Sequence, residues 1–390
     1  MITSTRNRVT TGKLLALALL LAALASLMIA AKPVHASTTF TVVNTNSNDE
    51  GTLRAAILDA NATQGADTIE FDIPGTGVQT IAPNTPLPTI TDPVTINGYS
   101  QPGAQANTKA VGSDAILKIE LSGVNLPGAN GLQISASNST VKGLVINRWD
   151  QGIRIEGSGA TGNKIVGNYV GTDKNGTADL GNGLDGVSIQ DAPDNTIGGG
   201  TTAARNLISH NNNFGVLVGG DSAKGNRVMQ NLISANDKVG VVVYGDTATG
   251  NRILSNSIFA NGLLGIDLGL DGSTANDPGD TDTGPNNLQN KPVFSSAKKS
   301  ATGTTTIKGT LNSTPNKTFQ VQFFSNPEGT NEGKTFLGSM SVTTGGLGNV
   351  SFTFSTKKTI RLGQNITATA TNTTTGNTSE FSAPRKVVAQ

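Results

Sequence analysis

Gly215-Val-Leu-Val, Gly225-Asn-Arg-Val and Asn231-Leu-Ile-Ser-Ala-Asn236 are followed by Gly240-Val-Val-Val, Gly250-Asn-Arg-Ile and Asn256-Ser-Ile-Phe-Ala-Asn261. The second set repeats the first at a spacing of 25 residues, and Gly265 opens a third. Each unit holds three short apolar patches, each bounded by Gly or Asn. A looser version lies upstream: Gly152-Ile-Arg-Ile, Gly162-Asn-Lys-Ile and Asn168-Tyr-Val, then Gly186-Val-Ser-Ile, Asn195-Thr-Ile and Asn206-Leu-Ile-Ser-His-Asn211. There the extra length sits in two polar loops, 171–183 and 198–205.

A strand this short buries little by itself. Three of them, separated by turns of Gly and Asn that accept positive φ, can make one rung of a stack. Stacking places each strand beside its copy one rung away, so inward Val, Ile and Leu form apolar columns and each rung buries its inner face on its neighbours. Asn repeated at one position can form an amide ladder along in-register parallel strands. No helical crossover pattern separates the strands, and a solenoid is the parallel arrangement that needs none. The spacing predicts an all-β chain with a parallel β-helix over residues 68–295, about nine rungs and ~40 Å long.

The ends read differently. Leu53, Ile57 and Ala60, with Ala56 beside them, share one face of a helix expected over 51–61, a lid on the first rung within residues 37–67, which read as an N-terminal strand and this capping helix. From residue 296 to 390 six alternating strands are expected, at 304–311, 318–324, 335–343, 350–355, 366–372 and 380–388, which read as a small Ig-like β-sandwich. The acidic, Pro/Gly-rich stretch 271–292 reads as the linker. Residues 1–36 carry Arg6, Arg8 and Lys13, an apolar run from Leu14 to Ala31, and Val34-His35-Ala36 before Ser37. That is the pattern of a signal peptide, the alternative being an uncleaved anchor. No second apolar run occurs, so no membrane span is expected after cleavage.

Removing residues 1–36 takes away four cations (Arg6, Arg8, Lys13, Lys32) and no acid, moving the formal charge from +1 to −3. Nothing in that balance suggests a nucleic-acid partner. Cysteine is absent, so an exported chain would be held by core and hydrogen bonds alone. No Gly-x-Ser-x-Gly elbow, zinc spacing or phosphate loop occurs.

The segment Gly51-Thr-Leu-Arg-Ala-Ala-Ile, with Ala60-Asn61, resembles the Cys-Ser-Leu-Arg-Glu-Ala cap of bacterial secreted and surface right-handed parallel β-helix repeat proteins, with Gly51, Thr52 and Ala55 in place of Cys, Ser and Glu. Also similar to that family are Gly171-Thr-Asp with Gly181-Asn-Gly, Ile197-Gly-Gly with Ala204-Arg-Asn-Leu-Ile-Ser, Gly265-Ile-Asp-Leu-Gly with Asn276-Asp-Pro-Gly-Asp, and Gly376-Asn-Thr-Ser-Glu-Phe-Ser. The resemblance implies a right-handed, pectate-lyase-like β-helix and an extracellular or cell-surface location. It implies no agreed reaction, because pectin-degrading enzymes share the fold and fold does not confer function.

Candidate chemistry is sparse. A polygalacturonase-like hydrolase needs clustered carboxylates, and its Asn-Thr-Asp, Asp-Asp, Gly-His-Gly and Arg-Ile-Lys signatures are all missing. His210 fills a turn slot occupied by Ala235 and Ala260 in the later units, and so reads as a turn residue. Asp221, Asp246 and Asp271 recur every 25 residues, with Arg227, Arg252 and Lys224 nearby. A Ca²⁺-dependent lyase could use such a column. The exchange of Asp for Ser158 in the related turn favours local turn capping. The densest acids are Asp277, Asp280 and Asp282, a candidate Ca²⁺ site that would stiffen the linker. Trp149, Tyr169, Phe214 and Tyr244 are the aromatics to weigh as sugar platforms. Core packing is the preferred reading of each, although Trp149 stands in a turn before Gly152 where exposure is open to it. The reading favoured is a non-enzymatic extracellular scaffold binding polysaccharide or another cell-surface glycan. A lyase-like carbohydrate enzyme and a purely structural matrix protein are the alternatives.

Overall fold

The residue before each repeated Asn makes the corner. Gly162, Asp194, Gly225 and Gly250 all have φ between +58° and +76°. Each is followed by a buried Asn: Asn163, Asn195, Asn226 and Asn251. The Asn side-chain oxygen accepts the main-chain N–H of its counterpart one rung earlier: Asn195 from Asn163 at 2.9 Å, Asn226 from Asn195 at 2.8 Å and Asn251 from Asn226 at 2.9 Å. The side-chain amide then donates to a carbonyl of the preceding turn, as Asn251 does to Ala223 O at 2.8 Å. Two further ladders run through Asn168, Asn206, Asn231 and Asn256, and through Asn182, Asn211, Asn236 and Asn261. A buried polar group left unpaired is costly, and these ladders satisfy the amides that the corners remove from the sheets.

The computed structural model describes Met1 and residues 36–390. The signal-peptide reading of 1–36 lies, apart from Met1 and Ala36, outside the described residues. Among the described residues no helix is long and apolar enough to cross a membrane.

Between the corners the chain visits three parallel sheets in rotation. The first has eight strands, running in spatial order from Thr39–Val42 and Asp67–Phe71 to Arg227–Met229 and Arg252–Leu254. The second has seven, from Gln79–Ile81 to Leu232–Ser234 and Ser257–Phe259. The third has six, from Leu132–Ile134 to Val241–Tyr244 and Ile266–Leu268. These stacks are compatible with a β-helix solenoid. The first sheet begins with Thr39–Val42, inside the capping segment of residues 37–67. Register follows the repeat: Val216 pairs with Val241, which pairs with Ile266, and Arg227 pairs with Arg252. Ile165, Ile197, Val228 and Ile253 form one of the inward columns, all nearly inaccessible.

The helix Leu53–Ala62 buries Leu53, Ala56, Ile57 and Ala60 in the same core, as a lid should. Thr52 caps it by accepting the Ala55 N–H on its hydroxyl at 3.2 Å.

The C-terminal region holds two four-stranded sheets, antiparallel except where Lys298–Lys299 meet Val388–Ala389. Their shared core includes Ile307, Leu311, Phe319, Val321, Phe323 and Ile366, with Phe323 stacked on Phe354 at 4.2 Å between ring centres. Five of the six expected strands appear near their predicted bounds. The sixth is reduced to Arg385–Lys386 and Val388–Ala389, and the strand Val293–Lys299 runs across the predicted boundary at 295/296. The reason lies in the contact with the stack. Ser37–Gln390 is one compact unit, and the segment expected as the sixth strand starts instead as its plug. Phe381 lies against Gly265, where a Cβ would come within 2.7 Å of its ring. Glu380 accepts the Leu268 N–H at 3.3 Å, and Thr378 accepts that of Ile253 at 3.1 Å. Strand Asn365–Asn372 is therefore buried on both faces: Ile366, Ala368 and Ala370 belong to the C-terminal core, and Thr367, Thr369 and Thr371 lie on the other face.

Candidate functional site

The sequence candidates separate once their surroundings are known. Asp221 is exposed and accepts the Thr247 N–H at 3.2 Å, which is the turn-capping role. Asp246 and Asp271 are exposed as well. The Asp column does not gather into a metal-binding group, and the Arg252 guanidinium points to Thr373 O, at 3.4 Å. His210 has φ +62°, beside +54° at Ala235 and +57° at Ala260, and its ring meets the Ser209 hydroxyl at 2.9 Å. It is a corner residue. Trp149 is not the exposed platform its turn allowed. It is 2% accessible and donates its indole N–H to Leu121 O at 3.0 Å. Tyr169 is buried too, while Phe214 and Tyr244 pack half-buried beside Leu217, Val239 and Val242.

Asp277, Asp280 and Asp282 do converge, each offering a ligand oxygen within 4.8 Å of the others. Main-chain folding of the expected linker places them. Asp280 accepts the Asn290 N–H at 2.6 Å and the Ser313 hydroxyl at 2.7 Å, and Asp277 accepts the Thr281 N–H at 2.9 Å. Asp277 Oδ1 and Asp282 Oδ1 are buried and make no hydrogen bond. Burial, and then the neighbouring Asp277 and Asp280 carboxylates, push the Asp282 pKa up to about 6. Such a set has the hard oxygen donors and the uncompensated charge that suit Ca²⁺.

A second site was not visible in the sequence. On the outer face of the second sheet, Val145, Tyr169, Leu207 and Leu232 follow one another in register. The loop after Ser100 covers the first three. Arg205 holds that loop down, its guanidinium donating to the carbonyls of Lys109, Ala110, Gly112 and Gln230 at 2.7–3.1 Å. Cover ends at Leu232. Beyond it a groove of about 590 Å³ opens, floored by Leu232 and Phe259 and walled by Phe336 of the C-terminal region. The Lys334 ammonium lies 4.5 Å from the Phe259 ring centre and that of Lys358 lies 5.6 Å from the Phe336 ring centre. Gln230, Ser255, Ser257 and Thr335 add hydrogen-bonding groups along its length.

No protein-family model matches the chain, and no curated protein matches it either. The groove therefore has to be read from its own chemistry. It joins aromatic rings, unpaired ammonium groups and hydroxyl or amide side chains on one open surface. That combination has the chemistry to hold and orient a ligand. No acidic residue lines it.

Proposed function

We propose that this protein is a non-catalytic extracellular scaffold that binds polysaccharide. In this reading the three-sheet stack is a right-handed parallel β-helix, as the family resemblance implies, and the C-terminal region an Ig-like sandwich, as its strand pattern suggests. The observation that carries the function is the groove at the seam between the two, with Phe259, Phe336, Lys334 and Lys358 facing one open channel. Sugar rings present apolar C–H faces and hydroxyl edges, and an apolar floor flanked by polar side chains complements both. An extended groove on a rigid stack suits an extended chain better than a small metabolite.

The test is retention of purified residues 37–390 on a panel of immobilised polysaccharides, with new reducing ends and unsaturated products followed in parallel. Retention without product supports the scaffold. Product formation replaces it with a carbohydrate-cleaving enzyme, and neither retention nor product leaves a purely structural protein.

A Ca²⁺ ion held by Asp277, Asp280 and Asp282 belongs to the same reading. It would stiffen the segment that joins stack to sandwich and would not enter the groove. The support is the pair of buried carboxylate oxygens without partners. Its test is a Ca²⁺-dependent rise in unfolding temperature that Asp282→Asn removes.

A further inference from the structure

We infer that the groove selects acidic glycans, with carboxylates or sulfates on the sugar meeting Lys334 and Lys358. This rests on the polysaccharide-binding reading and narrows it to a ligand class. Among the described residues the ion pairs are Arg154 with Glu156, Lys291 with Glu380 and Lys386 with Glu328. Arg205, Lys334 and Lys358 are in none of them, although all three line the same groove and no acid does. Arg205 is committed to four main-chain carbonyls, so its charge is unbalanced but its donors are engaged. Lys358 donates to Phe336 O at 2.9 Å and Lys334 rests over Phe259. Aromatic faces thus hold both ammonium groups over the channel, where a carboxylate would normally hold a lysine.

A neutral sugar would use only the apolar floor and the hydroxyl partners. An acidic chain uses these and also neutralises the lysines, so charge decides between ligands that share a ring shape. Residues 37–390 carry a formal −3, so the preference is a property of the groove and not of the molecule.

The experiment measures binding of residues 37–390 to alginate oligosaccharides, to the same oligosaccharides methyl-esterified, to neutral cello-oligosaccharides and to phosphatidylglycerol vesicles. EDTA is present throughout. Alginate is expected to bind about tenfold or more tighter than its ester, with an affinity that falls as salt rises. Lys334→Gln with Lys358→Gln should abolish that difference, while Lys357→Gln, one residue away and exposed, should keep it. Equal binding of ester and acid overturns the charge selection and leaves the polysaccharide reading standing. Binding of no oligosaccharide, acidic or neutral, overturns both. Capture by the anionic vesicles alone replaces the glycan with a lipid surface.

Discussion

Asn286 closes the first Asn ladder: its side-chain oxygen accepts the Asn251 N–H at 2.9 Å, and its amide donates back to Asn251 O at 2.8 Å. It does so from inside the stretch that reads as a linker, at φ +49°, with no measurable exposure. The last rung has no following rung to satisfy its amides, and Asn286 supplies what the next Asn would have supplied.

Asn286→Ala strips the partner from a buried main-chain N–H. Equilibrium unfolding in urea is expected to show a loss of about 1–3 kcal/mol beyond that of Asn287→Ala, an exposed neighbour at φ +51° that shares only the backbone strain. Equal effects at both positions would remove the ladder-closing role.

Gly265 and Phe381 should be energetically coupled. A methyl at 265 would lie 2.7 Å from the Phe381 ring, so Gly265→Ala should cost about 1–3 kcal/mol through overpacking. In a Phe381→Ala background the cost should shrink. A double-mutant cycle measures the coupling, and additivity would show that Phe381 is not the plug.

Glu332 ends the third ladder, accepting the Asn261 amide at 2.8 Å while itself 5% accessible. Burial raises its pKa above the usual carboxylate value, with the Asn261 hydrogen bonds opposing. A raised acid pKa means that ionisation opposes folding. The penalty is absent below the unfolded value near 4.5 and fully present above the folded value. Glu332→Gln keeps the acceptor and removes the charge. Thermal melts should therefore favour the variant at pH 7 and converge with the parent as pH falls to about 4.

Truncation before Val293 should expose the final rung. Ile253, Leu268 and Asn261 would lose Thr378, Glu380 and Glu332 as partners, and Ile266 would lose the cover of Phe381. Uncapped strands pair with other chains. Size-exclusion chromatography is expected to show oligomers or aggregate for residues 37–292 and a single smaller species for residues 37–390.

A corner substitution gives a converse case. Gly250 has φ +76°, and Gly250→Ala should cost about 1 kcal/mol for a left-handed L-residue. Ala260→Gly, at φ +57°, avoids that strain, so the two changes are expected to differ in sign or size in the same denaturation assay.

The 25-residue recurrence of Gly215, Gly240 and Gly265, and of Asn226 with Asn251, determined the parallel stacking, the register and the inward apolar columns. These depend on neighbours one period away, so a linear pattern carries them. The amphipathic face of Leu53, Ile57 and Ala60 was legible for the same local reason, and so was the proximity of Asp277, Asp280 and Asp282. Only the tertiary structure decided what closes the far end and what faces the groove. Asn286, Glu332 and Phe381 share no period with the residues they cap. Phe259 and Lys334 meet across 75 positions, and Arg205 reaches Ala110 across 95. Contacts between a repeat and a non-repeating partner leave no periodic trace, because each is made once, by packing.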